Sequence, residues 1–290
     1  MGSEMCIRDR LWRWLRAVKL EGKVAIVAGG TKGIGLGIAV EFAREGAKVV
    51  IGGRNEETGL DGVREIEKAG GQGLFVRCDV ADMADLDNIV QQAVQVFGRL
   101  DIYVANAGVN DSGKTPFLEI SPDQYDWIMD INLKGMFFGG QKAAQQMIRQ
   151  GSGGVIINMS SVMAHLALDA QVVYTVSKGG IQQLTKVQAL ALAPHNIKVN
   201  AMAPGPIETE LMRRVGSDKE LMDTILSRTP QGRVGTPKEC GRLAVFLASE
   251  DSDFIFGQSI YIDGGRGFQA FPNPGYKTVT DEDYERLQDL

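Results

Sequence analysis

The chain has 290 residues, 44% of them hydrophobic and 23% charged, with a formal net charge of −5. This is the composition of a soluble globular protein long enough to bury a core without disulfides or structural metal, and its acidic balance argues against a nucleic-acid binder. Three scattered cysteines (Cys6, Cys78, Cys240) and two histidines (His165, His195) form no disulfide framework or metal motif, and no apolar run approaches the ~18 residues of a membrane span.

The expected setting is therefore reducing and cytoplasmic, without metal and without a membrane partner. Residues 1–20 stand apart. They carry Arg8, Arg10, Arg13, Arg16 and Lys19 against Glu4 and Asp9, interleaved with Trp12, Trp14, Leu15 and Val18. Two readings exist: a basic amphipathic helix that touches a membrane or partner, or a tag or start-site remnant. The remnant reading is preferred, and the segment is set aside as an N-terminal extension outside the fold.

From Lys23 short apolar runs alternate with helical patterns. The runs are Val24–Ala28, Val49–Ile51, Leu74–Cys78, Ile102–Ala105, Val155–Met159, Val199–Met202 and Ile260–Ile262. The helical stretches are Ile34–Glu45, Glu56–Ala69, Met83–Phe97, Gln124–Arg149, Val172–Ala193 and Lys238–Ser249. Several runs are continuously apolar, as expected of strands covered on both faces. Repeated strand–helix–strand units predict an α/β fold: a Rossmann-type, doubly wound parallel sheet of about seven strands with helices on both faces. Residues 21–265 are read as one domain and 266–290 as a C-terminal extension. That extension holds Phe268, Phe271, Pro272, Pro274 and Tyr276, then an acidic end. It is either an arm toward a neighbouring subunit or pocket, or a free tail.

The first strand runs into Ala28-Gly29-Gly30-Thr31-Lys32-Gly33-Ile34-Gly35, and a helix follows at once. Glycines there permit a sharp turn and let a phosphate approach the free amides at the helix start. The spacing Gly29, Gly33, Gly35 is not a P-loop, since no Gly-Lys-Ser/Thr closes it.

At this point the chain resembles the short-chain dehydrogenase/reductase family, over about residues 21–265. The glycine turn is similar to the family's T-G-x-x-x-G-x-G, with Ala28 in place of threonine. Asn106-Ala107-Gly108 resembles its N-A-G after the fourth strand. Asp79-Val80 falls where the family meets adenine, and Pro204-Gly205 with Ile207 and Thr209 where it meets the nicotinamide end. The resemblance implies a dinucleotide held by Gly29, Thr31, Lys32, Gly33, Ile34 and Gly35 together with these segments. The second strand would end in an acid at Gly53 in an NAD-binding member. Here Gly53 is followed by Arg54, and Lys32 matches the family's second basic position. An arginine can bond a 2′-phosphate that a carboxylate would repel, so NADP is expected over NAD.

Tyr174-Thr175-Val176-Ser177-Lys178 places a phenol and an ammonium on one helix face, a turn apart. A nearby ammonium and an oxidised nicotinamide are expected to lower the phenol pKa and make it a general acid or base. By resemblance, Ser161 bonds the substrate oxygen, Tyr174 transfers the proton, Lys178 also holds the nicotinamide ribose, and Asn132 extends a proton relay. Ser160 is the adjacent alternative to Ser161. The expected activity is hydride transfer to a ketone, sugar or polyol, or 3-oxoacyl substrate; a non-catalytic NADP-binding sensor or scaffold is the alternative.

Val162, Met163, His165 and Leu166, the segment around Asp111, and Pro206–Leu226 with Leu211 and Met212 are expected to line the substrate pocket. Carrier-protein reductases of the family place an arginine where His195 stands. Lys198 compensates only in part, which favours a general ketone or sugar/polyol reductase. The apolar residues Ile89, Val90, Val94, Ile128, Met136, Phe137, Phe138 and Met147 on two outer helices, together with the resemblance, predict a homotetramer.

Overall fold

The computed structural model describes residues 18–111, 115–210, 212 and 218–268. Seven parallel strands form one sheet: β1 (Val24–Ala28), β2 (Lys48–Gly53), β3 (Gln72–Arg77), β4 (Ile102–Ala105), β5 (Gly154–Met159), β6 (Ile197–Pro204) and β7 (Ser259–Ile262). Their spatial order is β3-β2-β1-β4-β5-β6-β7. The central strands β1 and β4 are buried throughout, which explains their unbroken apolar sequence; β6 is equally buried although it carries Lys198 and Asn200. Chain order reverses beside β1, whose neighbours are β2 and β4. A crevice opens there at the carboxyl ends of the strands.

The helices are α1 (Gly33–Arg44), α2 (Glu56–Lys68), α3 (Met83–Phe97), α4 (Pro122–Met129), α5 (Gly135–Gln150), α6 (Val172–Leu192), α7 (Lys219–Ser227) and α8 (Pro237–Ala248). The helix expected over Gln124–Arg149 is two helices separated by a π turn at Asp130–Lys134. Helix α4 also starts earlier, because Ser121 accepts the Gln124 N–H and Pro122 occupies the first turn. Helix α7 has no counterpart among the predicted elements. Its signal is an Asp218 N-cap, which accepts the Leu221 N–H.

The N-terminal boundary moves inward. Leu20, within the segment set aside above, is fully buried in the core, and its N–H donates to the Glu45 carbonyl at 2.8 Å. The Lys19 ammonium pairs with Asp251, and its backbone N–H donates to the Glu45 carboxylate. A hydrophobic side chain sheathed by the α1–β2 turn contributes like any core leucine. Leu20→Ala should therefore cost about 2–5 kcal/mol, read as a lower urea midpoint with unchanged slope. Trp12 and Trp14 lie outside the described residues.

Cys78 and Cys240 are buried free thiols, each pushed up to about 12 by burial, which makes them unreactive at neutral pH. No helix among the described residues is long and apolar enough to cross a membrane. No cluster of three His, Cys, Asp or Glu among them could hold a metal.

Candidate active site

The glycine turn links β1 to α1. An added Cβ at Gly35 would lie 2.1 Å from the Gly29 carbonyl oxygen and 2.5 Å from Asn106 Nδ2, so no side chain fits there. Asn106 ties this turn to the end of β4: its Nδ2 donates to Gly29 O at 2.7 Å, and its N–H donates to Ala28 O at 3.0 Å. The start of α1 has no side-chain cap and no acid in its first turn. Free amides and an unopposed helix dipole suit a phosphate.

A cleft of about 510 Å³ extends from this turn, lined by Thr31, Lys32, Arg54, Asp79, Val80 and Ala107 among others. At Gly53 an added Cβ would come within 2.6 Å of the Thr31 methyl. Thr31 thus fills the space that an acidic side chain at position 53 would take, and Arg54 is one of the charges lining the cleft, with Lys32 and Asp79. Arg54 stands 4.0 Å from Asp79, and Lys32 is 3.1 Å from Glu210. The Glu210 pairing was invisible in the sequence, since 178 positions separate the two residues.

A second cavity of about 270 Å³ holds Ser161, Tyr174 and Lys178 with Pro204, Gly205, Ile207 and Met212. It shares Ile34, Asn106, Gly108, Val109 and Thr209 with the first cleft, so the two are contiguous. Ser161 follows β5 and Tyr174 lies in the first turn of α6, which brings both to the carboxyl edge of the sheet. The neighbouring Ser160 hydroxyl donates to the Lys178 carbonyl at 3.2 Å and is committed to the backbone. Ser161 lines the same cavity as Tyr174, and its Oγ accepts the Met163 N–H at 3.1 Å.

Burial raises the Tyr174 pKa, the Ser161 hydrogen bond opposes that rise, and the Asp111 charge adds to it. These are influences of the protein alone; the expected lowering belongs to the ammonium and an oxidised nicotinamide together. Lys178 is fully enclosed, its pKa is depressed to about 8 by burial, and its Nζ donates to the Met159 carbonyl at 2.8 Å. It sits 5.5 Å from the phenol ring centre. Desolvation of the phenolate is the largest influence on the Tyr174 pKa in the protein alone.

Asn132 lies fully buried in the π turn. Its Oδ1 accepts the Val109 N–H at 2.7 Å, and its Nδ2 donates to Val109 O at 2.8 Å and to Ser177 Oγ at 3.1 Å. The wider turn directs this side chain inward, a placement typical of π turns at functional sites. Sequence periodicity carried no sign of the turn itself.

Other expected pocket residues are placed differently. Met212 lines the cavity, whereas Met163, His165 and Leu166 do not. His165 is exposed, with its ring edge-on to Tyr261 at 6.2 Å. Leu211 lies outside the described residues. Lys198 is buried and donates to Ser249 O, Ser252 Oγ and the Asp253 carboxylate, so it offers nothing to an acidic carrier.

The family model described as enoyl-(acyl carrier protein) reductase matches residues 28–266. An L-rhamnose-1-dehydrogenase of Scheffersomyces stipitis is 40% identical over 250 residues, covering 85% of this chain and 96% of its own length. The chain belongs to the short-chain dehydrogenase/reductase family. A 3-oxoacyl-[acyl-carrier-protein] reductase of Thermotoga maritima is also similar, 37% identical over 248 residues, covering 86% of this chain and 99% of the relative. Among solved structures, a gluconate 5-dehydrogenase from Burkholderia cenocepacia in complex with NADP and tartrate superposes with a TM-score of 0.82. It is 36% identical and covers 89% of this chain and all of its own. The Rossmann-type sheet of this dehydrogenase/reductase and its uncapped glycine turn fit a nicotinamide dinucleotide in the joined clefts.

Proposed function

We propose that the protein is an NADP-dependent oxidoreductase that interconverts a carbonyl and a secondary alcohol on a small molecule of the sugar or polyol kind. The observation that carries this reading is the half-buried Tyr174, which lines with Ser161 and Lys178 a cavity contiguous with the nucleotide cleft. Asp79 and Val80 flank the adenine, Asn106-Ala107-Gly108 runs beneath the dinucleotide, and Pro204, Gly205, Ile207 and Thr209 border the nicotinamide end. Arg54 and Lys32 bond the 2′-phosphate. The cofactor, when bound, exchanges a hydride at its nicotinamide C4 and brings positive charge toward the phenol when oxidised.

The chain's own groups do the rest. Ser161 donates to the substrate oxygen as negative charge develops on it. Tyr174 gives that oxygen a proton in reduction and takes one from the hydroxyl in oxidation. Lys178 holds positive charge below the phenol and bonds the nicotinamide ribose, and Asn132 orients the water that relays the proton. A carbonyl and alcohol panel run with NADPH and NADP+ tests the reading: turnover is expected. Tight NADP binding without any turnover would replace the enzyme with a sensor.

The proposal includes a homotetramer, with a revised contact face. Ile89, Val90, Ile128, Met136 and Met147 are buried within the subunit, so they leave nothing for a partner. Packing α3 and α5 on the sheet consumes more of each helix than a single stripe. Trp127, Tyr125, Phe137 and Ile148 are the large apolar residues left exposed on α4 and α5. Light scattering is expected to give about four times the 31.4 kDa subunit mass. An active species of subunit mass would dismiss the assembly.

A further inference from the structure

Helix α6 carries Tyr174 in its first turn, and that turn starts bare. Gln171 offers no side-chain cap, and the first turn holds no acid. Uncapped N–H groups leave a helix end prone to fraying. A proton donor that must meet a substrate oxygen cannot sit on a loose turn, since a misplacement of about 1 Å can cost about 100-fold in rate. The helix is held from its next turn instead. On the β5 side, Lys178 Nζ donates to Met159 O at 2.8 Å and Ser160 Oγ donates to Lys178 O at 3.2 Å. On the β4 side the fastening runs through Ser177, whose hydroxyl has no part in the reaction described above.

Ser177 is fully buried, as is Asn132. Its Oγ donates to the Tyr174 carbonyl at 2.7 Å and accepts Asn132 Nδ2 at 3.1 Å. A hydroxyl has one proton. Here that proton goes to the Tyr174 carbonyl, which leaves the oxygen as the acceptor for the amide. Asn132 in turn grips both backbone groups of Val109, at 2.7 and 2.8 Å. Val109 borders both the nucleotide cleft and the cavity. A continuous line of hydrogen bonds thus runs from the Tyr174 backbone through Ser177 and Asn132 to the chain leaving β4.

We propose that Ser177 is a positioning residue for proton transfer: its hydroxyl holds the turn that carries the Tyr174 phenol in register with Asn132 and Val109. This rests on the proton-transfer reading above. Ser177 does not line the cavity, so it acts through Tyr174. Removing its hydroxyl leaves one N–H of the buried Asn132 amide without an acceptor and frees the Tyr174 turn from the β4 side.

The test is Ser177→Ala in the full chain. Alanine is the best helix former, so the fold and the NADPH affinity, read by fluorescence titration, should be kept. Per NADPH-binding site, kcat should fall about 3–10-fold, the scale of one hydrogen bond, while substrate KM stays within about 2-fold. A residue that only supports the fold would change the melting temperature and the number of binding sites, not kcat per site. A double-mutant cycle shows what Ser177 acts through. In a Tyr174→Phe background Ser177→Ala should cause no further loss, because the group it positions is gone. An unchanged kcat in Ser177→Ala, or losses that multiply in the double variant, overturns the proposal.

Amide hydrogen exchange over residues 172–178 separates this proposal from the reading beneath it. Ser177→Ala should speed exchange there by about 3–10-fold. Faster exchange together with a wild type that turns over no carbonyl supports the fastening and rejects hydride transfer. Unchanged exchange in an enzyme whose turnover depends on Tyr174 rejects the role of Ser177 alone.

Discussion

Tyr174→Phe should lower kcat at least ~100-fold, the usual scale of general acid–base catalysis, while the melting temperature and NADPH affinity stay close to wild type. The substitution removes one oxygen from a ring that is otherwise packed, so little cavity is made. Its pH dependence carries the sign of the chemistry. Reduction needs the phenol protonated, so its rate should fall as pH rises through the phenol pKa. Oxidation needs the phenolate and should rise over the same range. Burial and Asp111 both push that pKa up, so the oxidative limb should lie toward alkaline pH. The test is a pair of kcat/KM profiles in both directions, repeated with Tyr174→Phe. A variant with near-normal turnover would falsify the assignment of Tyr174 to proton transfer.

Arg54→Asp should invert cofactor preference. The wild-type guanidinium is solvated on one side and 4.0 Å from Asp79 on the other, so it is available to a 2′-phosphate. A charge-assisted bond of this kind is worth ~1.5–3 kcal/mol, or at least ~10-fold in affinity. The aspartate adds repulsion to that loss and offers a ribose 2′-OH an acceptor. NADPH KM should rise and NADH KM fall, moving the ratio of kcat/KM values by at least ~100-fold. Lys32 would soften the change, because it remains at the phosphate end. An unchanged ratio would mean that Arg54 does not touch the adenosine half of the cofactor.

The strand pattern, the parallel order and the glycine turn were legible without coordinates. Unbroken apolar runs such as Val24–Ala28 can only be strands with helices on both faces, and α/β alternation admits few topologies. The Tyr174–Lys178 pair was equally plain, because helical periodicity places residues four apart on one face. These are local rules, and local sequence carries them.

Other features depend on approach through space. The Asn132 side chain turns inward because a π turn interrupts the helix. Lys32 meets Glu210, Lys198 disappears under Ser249 and Asp253, and Leu20 joins the core from a stretch whose composition set it apart. Desolvation raises the phenol pKa in the protein alone, and it depends on what surrounds Tyr174, not on its spacing from Lys178. Sequence by itself determined which residues could carry the chemistry. Tertiary packing alone decided which of them are dry and which are paired.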